Sequence, residues 1–216
     1  MTQKLVIASR NDHKIQEMRR ILEQVGLDME LVGTVEFPDL PDVEETGSTF
    51  AANAMLKARA VSEFTGLPAV GDDSGLCVDA LNGMPGILSA RWSGTHGNDQ
   101  ANLALLLAQI SQVPTDRRGA SFICAAAYVH PDGTEFVVEG QMSGTLIDAP
   151  VGTNGFGYDP IFVPQGHQIT SAQMSAELKD SISHRGRALA ALAAQLSTHP
   201  TFPESGKVGR FSSDFV

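Results

Sequence analysis

The chain has 216 residues, enough for one α/β domain at ~150 residues per domain, and it can bury roughly 70% of its unfolded surface without a disulfide or metal staple. Hydrophobic residues at 42% and charged residues at 19% argue against disorder, and 25 acidic against 15 basic residues give a net charge of −10, which disfavours a nucleic-acid coat or a membrane-surface module. Cys77 and Cys124 make no disulfide framework or zinc set, and no segment has the ~18 apolar residues of a membrane span or a signal core, so the expected protein is soluble, reduced and cytoplasmic.

Lys4–Ser9 (KLVIAS) is a short apolar run and reads as a buried strand. Ile15, Met18, Leu22 and Val25 then share one helical face, and Gly26 supplies a C-terminal stop. Leu31–Val35 reads as a strand and Pro38–Asp42 as extended loop. Ser48 or Thr49 caps a second helix that runs to about Phe64 and is closed by Gly66. Ala69–Asp73 and Leu76–Val78 are strand candidates interrupted by Ser74-Gly75. Asn82–Gly97, with four glycines and a proline, reads as a mobile loop. Asn98 caps a third helix that buries Leu103, Leu106, Leu107 and Ile110. Ser121–Val129 and Thr134–Glu139 are β-rich and joined by a hairpin signal, His130-Pro131-Asp132-Gly133. Val151–Tyr158 is a glycine-rich loop and His184–Leu196 a last amphipathic helix. Strand–helix alternation around a hairpin implies a mixed sheet with helices on its faces. A single domain is expected over residues 1–198, with a polar, poorly ordered tail over 199–216.

Four segments carry groups able to do chemistry. Ser9-Arg10-Asn11-Asp12-His13-Lys14 lies where a strand gives way to a helix, so free amides and the positive helix end meet beside a lysine. Alone, it reads either as a phosphate cradle or as an ordinary capped helix start. Glu44-Glu45 and Asp72-Asp73 are acidic pairs of the kind Mg²⁺ uses when it completes its shell with water and phosphate oxygens, or else a solvated loop and an Asx turn. Along a strand only one of Asp72 and Asp73 can face a given site. In Asn154-Gly155-Phe156-Gly157-Tyr158-Asp159-Pro160, glycines flank aromatics that could stack on a flat ligand, although Tyr158 could equally pack inward. Lys179 and Ser183-His184-Arg185-Gly186 open onto the last helix, as binding groups or as a cap with solvated neighbours. Arg10, Lys14, Lys57, Lys179 and Arg185 are five of the 15 basic residues, and all lie in or beside these segments. An acidic protein can hold a polyanion only at such a local cluster.

Together the segments LVIASRNDHK, EETGSTFAANAMLKA, VGDDSGLCVDALNGMPGILSARWSG, NGFGYDPIF and KDSISHRG resemble the inosine triphosphate pyrophosphatase family, over about residues 4–197. The resemblance implies an elongated, two-lobed α/β fold with a long mixed twisted sheet flanked by helices. It implies hydrolysis of deaminated purine triphosphates (ITP, dITP, XTP) to monophosphate and pyrophosphate, Mg²⁺ dependence and a homodimer. By residue, it implies a substrate loop from Ser9 to Lys14 and a phosphate contact from Lys57. Glu44 and Asp73 become metal ligands, with Asp73 also the proton acceptor, and Ser74 a substrate contact. Phe156, Gly157, Tyr158 and Asp159 form the base loop, and Lys179, His184 and Arg185 contact base and phosphate. The family's Thr-Gly before the asparagine is replaced here by Ser9-Arg10. Two other functions fit the same segments: a Maf-like pyrophosphatase of different base preference, and a non-catalytic nucleotide-binding module.

Overall fold

The computed structural model describes residues 4–26 and 29–198. Its frame is one six-stranded sheet in the order β2–β1–β3–β4–β5–β6. The strands are β1 Lys4–Ile7, β2 Glu30–Gly33, β3 Ala69–Val78, β4 Gly119–Val129, β5 Glu135–Leu146 and β6 Phe162–Pro164. β2 and β3 run parallel to β1, whereas β3, β4, β5 and β6 pair antiparallel, so the sheet is mixed as expected. The helices are α1 Asp12–Gln24, α2 Phe50–Thr65, α3 Asp99–Ile110, α4 Ala176–Ile182 and α5 His184–Ser197. The segment expected to form a tail, residues 199–216, lies outside the described residues.

Alternation along the strands sorts the core. Val70, Cys124, Ala126 and Tyr128 join Leu5 and Ile7 beneath α1 and α5. On the opposite face Val6 and Ala69 pack with Val61 of α2, and Ala125 and Ala127 with Ala54 and Ala58 of the same helix. Farther along the same strands, Leu76, Val78, Phe122, Met142 and Leu146 build a second core with Leu106 and Ile110 of α3. Two cores strung on shared long strands give the two lobes.

The helix starts follow local chemistry. The Asn11 side chain accepts from the Lys14 amide at 3.2 Å, Thr49 from Ala52 at 3.1 Å, Asn98 from Ala101 at 3.1 Å and Ser183 from Gly186 at 2.9 Å.

Three expectations change. β3 runs unbroken through Ser74-Gly75, because Gly75 marks a close approach rather than a break: a Cβ there would sit 2.3 Å from the Gly86 carbonyl oxygen and 2.4 Å from Ser89 Oγ. Asp72 and Asp73 are therefore mid-strand. Residues 82–97 are built rather than loose, with a 3₁₀ helix at Gly86–Arg91 and backbone bonds from Val78 N to Met84 O (3.1 Å) and from Gly97 N to Ala90 O (2.8 Å). β5 continues past Glu139 to Leu146, and the short strand β6 and helix α4 lie in a stretch to which the sequence pattern assigns no element.

Candidate active site

The site exists because neighbouring strands end at different places. β1 stops at Ile7 and pairs with β3 only through Val6–Ala69 and Ile7–Val70. β3 runs on to Val78, and no described strand pairs with that side beyond Val70. A cleft of about 630 Å³ opens along this edge between the two cores, within the range of small-molecule sites. Its wall includes the end of β1 with the first turn of α1, the Leu40–Glu45 loop, α2, residues 87–97 and the 156–159 loop.

One half of the cleft gathers the acids around a lysine. Lys57 of α2 lies 2.7 Å from Glu45 Oε1 and 3.8 Å from Asp73 Oδ1, and Arg91 donates to Glu45 at 3.0 Å. Asn53, one turn before Lys57 on α2, donates to Asp73 at 3.0 Å and accepts from Gly47 at 2.8 Å, which ties the Glu45 loop to the strand. Burial raises the Asp73 carboxyl above the ordinary aspartate value, against the pull of Lys57 and Lys14. Glu45 is lowered, since Lys57 and Arg91 outweigh its partial burial. Lys57 is raised: its burial is outweighed by Asp72, Asp73 and Glu45.

The family resemblance implies Glu44 as the acid in this group. Glu44 is exposed and lies outside the cleft lining, whereas Glu45 faces in, because side chains alternate along the extended segment held by Asn53. Among the described residues, no three His, Cys, Asp or Glu side chains converge as a self-sufficient metal site. The Lys57 ammonium is a stand-in for a cation here, within 4 Å of two carboxylates at once.

The other half is a buried ionic network. Arg185 of α5 donates to Glu17, to Asp72 at 3.1 and 3.2 Å, and to Ser74 Oγ at 2.8 Å. Lys179 of α4 donates to Glu17 at 3.0 Å and Asp159 at 2.7 Å, and Lys14 lies 3.3 Å from Asp72. Glu17, Asp72 and Asp159 face Lys14, Lys179 and Arg185, so the charges balance, as buried ions require. Burial pushes Glu17 up, but Arg185 and Lys179 overcome it and hold the carboxyl at about 2. Burial, reinforced by Arg185, keeps His184 neutral, well below the ordinary histidine value. Its ring stacks on Phe122 at 4.9 Å, and its Nδ1 has no hydrogen-bond partner among the described residues.

The 156–159 loop closes this half. Asp159 accepts from the Phe156 amide at 2.9 Å, and Asp99 of α3 accepts from Gly157 at 2.8 Å. Tyr158 is buried in the second core, and its hydroxyl donates to the Ser89 carbonyl at 2.9 Å, so it packs inward. The Lys179 ammonium lies 5.3 Å from the centre of the half-buried Phe156 ring.

Of the expected site residues, Ser9, Arg10, Asn11 and Lys14 line the cleft from the α1 end, and Lys57, Asp73 and Ser74 from its floor. Phe156, Gly157, Tyr158, Asp159, Lys179, His184 and Arg185 line the remaining wall. Asp12, His13 and Glu44 do not line it. Arg10 is turned aside, donating to the Leu40 carbonyl at 2.6 Å and pairing with Asp42. Sequence reasoning missed Glu17, Asn53 and Asp99. The helical spacings Lys14–Glu17 and Asn53–Lys57 each put a polar residue on the same face as a predicted ligand, and that was the available signal.

The fold and site define an α/β protein with a nucleotide-sized cleft, acids at one end and an aromatic loop at the other. The chain belongs to the Ham1 family, whose model matches residues 5–195. It is 62% identical over 189 residues to the dITP/XTP pyrophosphatase of Streptomyces coelicolor, covering 88% of this chain and 94% of that one. It is 56% identical to the dITP/XTP pyrophosphatase of Mycobacteroides abscessus, covering 89% and 94%. Among solved structures it resembles a HAM1 protein from Coxiella burnetii (TM-score 0.82, 39% identity, 92% and 100% covered). It also resembles the Staphylococcus aureus Ham1 protein (TM-score 0.79, 42% identity, 90% and 98% covered). Among the described residues no helix is long and apolar enough to cross a membrane.

Proposed function

We propose that the chain hydrolyses deaminated purine nucleoside triphosphates (ITP, dITP and XTP) to the monophosphate and pyrophosphate, removing them from the cytoplasmic nucleotide pool. The observation that carries this reading is the open edge of β3. There Asp73 and Glu45 share one cation-sized position around Lys57, next to the amide-rich start of α1. Relatives named for this activity, at up to 62% identity over most of the chain, support it.

The cleft cations already have acidic partners, so a polyanion entering here brings uncompensated charge. Asp73 and Glu45, hard oxygen donors within reach of one ammonium, fit Mg²⁺, which takes one or two carboxylates and fills its shell with water and phosphate oxygens. When bound, the ion would neutralise charge on the phosphate chain and polarise it. The protein's own groups do the rest. Lys14 and Lys57 clamp phosphate oxygens, and the α1 amides hold the chain in line. Asp73, raised by burial and oriented by Asn53, orients water and takes its proton. Lys179 is buried between Glu17 and Asp159 beneath Phe156, so it supports the base end rather than gripping phosphate.

At purine C6 the deaminated bases present an oxygen, and adenine presents an amino donor. The Phe156 and Gly157 amides are engaged by Asp159 and Asp99, and Arg185 makes four hydrogen bonds of the five N–H groups it carries. Recognition of the oxygen then falls to the remaining Arg185 N–H and to neutral His184. A donor-lined site left facing a second donor rejects it strongly. Guanine shares the C6 oxygen, so this geometry separates adenine alone.

The test is pyrophosphate release from ITP, XTP, dITP, GTP, ATP and pyrimidine triphosphates, with and without Mg²⁺. ITP, dITP and XTP should be cleaved and ATP spared, with no turnover after chelation. Equal ATP and ITP rates would remove the editing role, pyrimidine or methylated-base activity would favour the Maf-like reading, and binding without pyrophosphate release would leave only a binding module. The same reading carries a homodimer, checked by sedimentation at about twice the mass of one chain.

A further inference from the structure

The aromatic loop has a partner on α1. The His13 ring lies on the Phe156 ring with centroids 5.5 Å apart and planes 16° from parallel, an offset stack. Phe156 is half-buried and lines the cleft, whereas His13 is exposed and does not. Two cations also lie over Phe156, Lys179 at 5.3 Å and Arg185 at 6.0 Å. Both are buried, and carboxylates hold them in place: Glu17 and Asp159 for Lys179, Glu17 and Asp72 for Arg185. Of these three groups His13 is the exposed one, and exposed side chains change rotamer within nanoseconds.

We propose that His13 is the movable wall of the base pocket, and that the purine enters between the His13 and Phe156 rings and stacks on both. The inference rests on the purine-triphosphatase reading and adds how the base is gripped. A flat base between two rings needs centroids roughly 7 Å apart, two van der Waals contacts of about 3.5 Å. Because the stack is offset, the gap His13 has to open is one ring thickness, about 3.5 Å, within the sweep of an exposed side chain on a helix's first turn. Its chain neighbour Lys14 lines the cleft and pairs with Asp72, so the same turn delivers a cation toward the phosphates and a ring toward the base. Stacking of this kind tolerates any purine, since every base has a π-face. His13 thus contributes affinity, and discrimination stays with the groups at C6.

The experiment compares His13→Ala and His13→Phe with the wild type in three measurements: kcat and KM for ITP, inhibition by inorganic tripolyphosphate, and ultraviolet hypochromism of bound inosine monophosphate. For His13→Ala, the expected result is a KM for ITP raised on the order of tenfold, the scale of one lost base stack, with kcat little changed. The hypochromism should shrink, while the inhibition constant of tripolyphosphate, which has no base, stays at the wild-type value. His13→Phe should restore KM and hypochromism. A His13→Ala enzyme with unchanged or lower KM overturns the proposal, the lower value meaning that His13 merely covers the face the base needs. A rise in both KM and the tripolyphosphate constant also overturns it, since the loss would then belong to the α1 turn as a whole. Failure of the wild type to cleave ITP would instead strike the purine-triphosphatase reading.

Discussion

In the proposed mechanism, Asp73 ties chemistry to pH through one side chain. Burial raises its carboxyl above the ordinary aspartate value, and a carboxylate accepts a proton only above its own pKa. The kcat/KM of the free enzyme should therefore fall on the acid side as pH drops through that raised value. Asp73→Asn should lose ~10²–10⁴ in turnover and lose this acid limb with it, as a pH–rate profile on ITP would register. The acids of the loop separate as sharply. Glu45 sits with Lys57 and Arg91 in the cleft, and Glu44 points to solvent. On the proposed metal role, Glu45→Gln should raise the Mg²⁺ concentration for half-maximal turnover by about tenfold or more, while Glu44→Gln stays near the wild type. A Mg²⁺ titration of turnover in the two variants decides between them, and the opposite ranking would return the ligand role to Glu44.

At the scale of elements, α2 is the part that must sit at one height, because it carries both Asn53 and Lys57 to Asp73. Gly71 sets that height: a Cβ there would stand 2.5 Å from the Ala54 carbonyl oxygen and 2.9 Å from the Ala58 amide nitrogen, both backbone atoms that cannot swing aside. Gly71→Ala should destabilise the protein by ~1–3 kcal/mol, the scale of overpacking, and lower kcat as the helix lifts. Urea unfolding beside turnover measures both, and a stable variant with full activity would show that α2 has freedom to shift. Such approaches also explain which elements were legible in the sequence. Helices α1, α2, α3 and α5 are legible from a local period, a local cap or stop, or both, and these signals survive in the fold. β3 and β5 were cut short at Ser74-Gly75 and Glu139 because Gly75 and Gly140 look like breaks, yet each admits a neighbouring backbone that only the fold supplies. The five motifs marked the cleft for the same reason the helices were legible: each is a contiguous stretch with its own chemistry. Which of Glu44 and Glu45 faces inward was not legible, since the direction is set by Asn53 holding Gly47 from another element.

Across the whole molecule, the ionic network is what joins chain ends to centre. Glu17 of α1 meets Arg185 of α5 and Lys179 of α4, and Arg185 in turn meets Asp72 of β3 beneath the cleft. The pairing itself is not visible in sequence, because the partners lie more than a hundred residues apart; the Lys14–Glu17 spacing marks a shared helix face but not which cations meet it. Glu17 is held at about 2 in the folded chain against an ordinary 4.5, so folding favours its ionised form. The stability this adds is complete above about pH 4.5 and is lost as pH falls toward 2. Glu17→Gln keeps the shape and removes the charge, leaving Arg185 and Lys179 short of a counter-ion in a buried place. The expected cost is ~3–5 kcal/mol at neutral pH, as for any buried pair broken from one side. Urea unfolding across this pH range should show the wild type weakening faster than the variant on acidification, so that the two curves converge. Parallel curves would mean that Glu17 is not ionised in the folded protein, and that the cations beneath Phe156 are balanced by Asp72 and Asp159 alone.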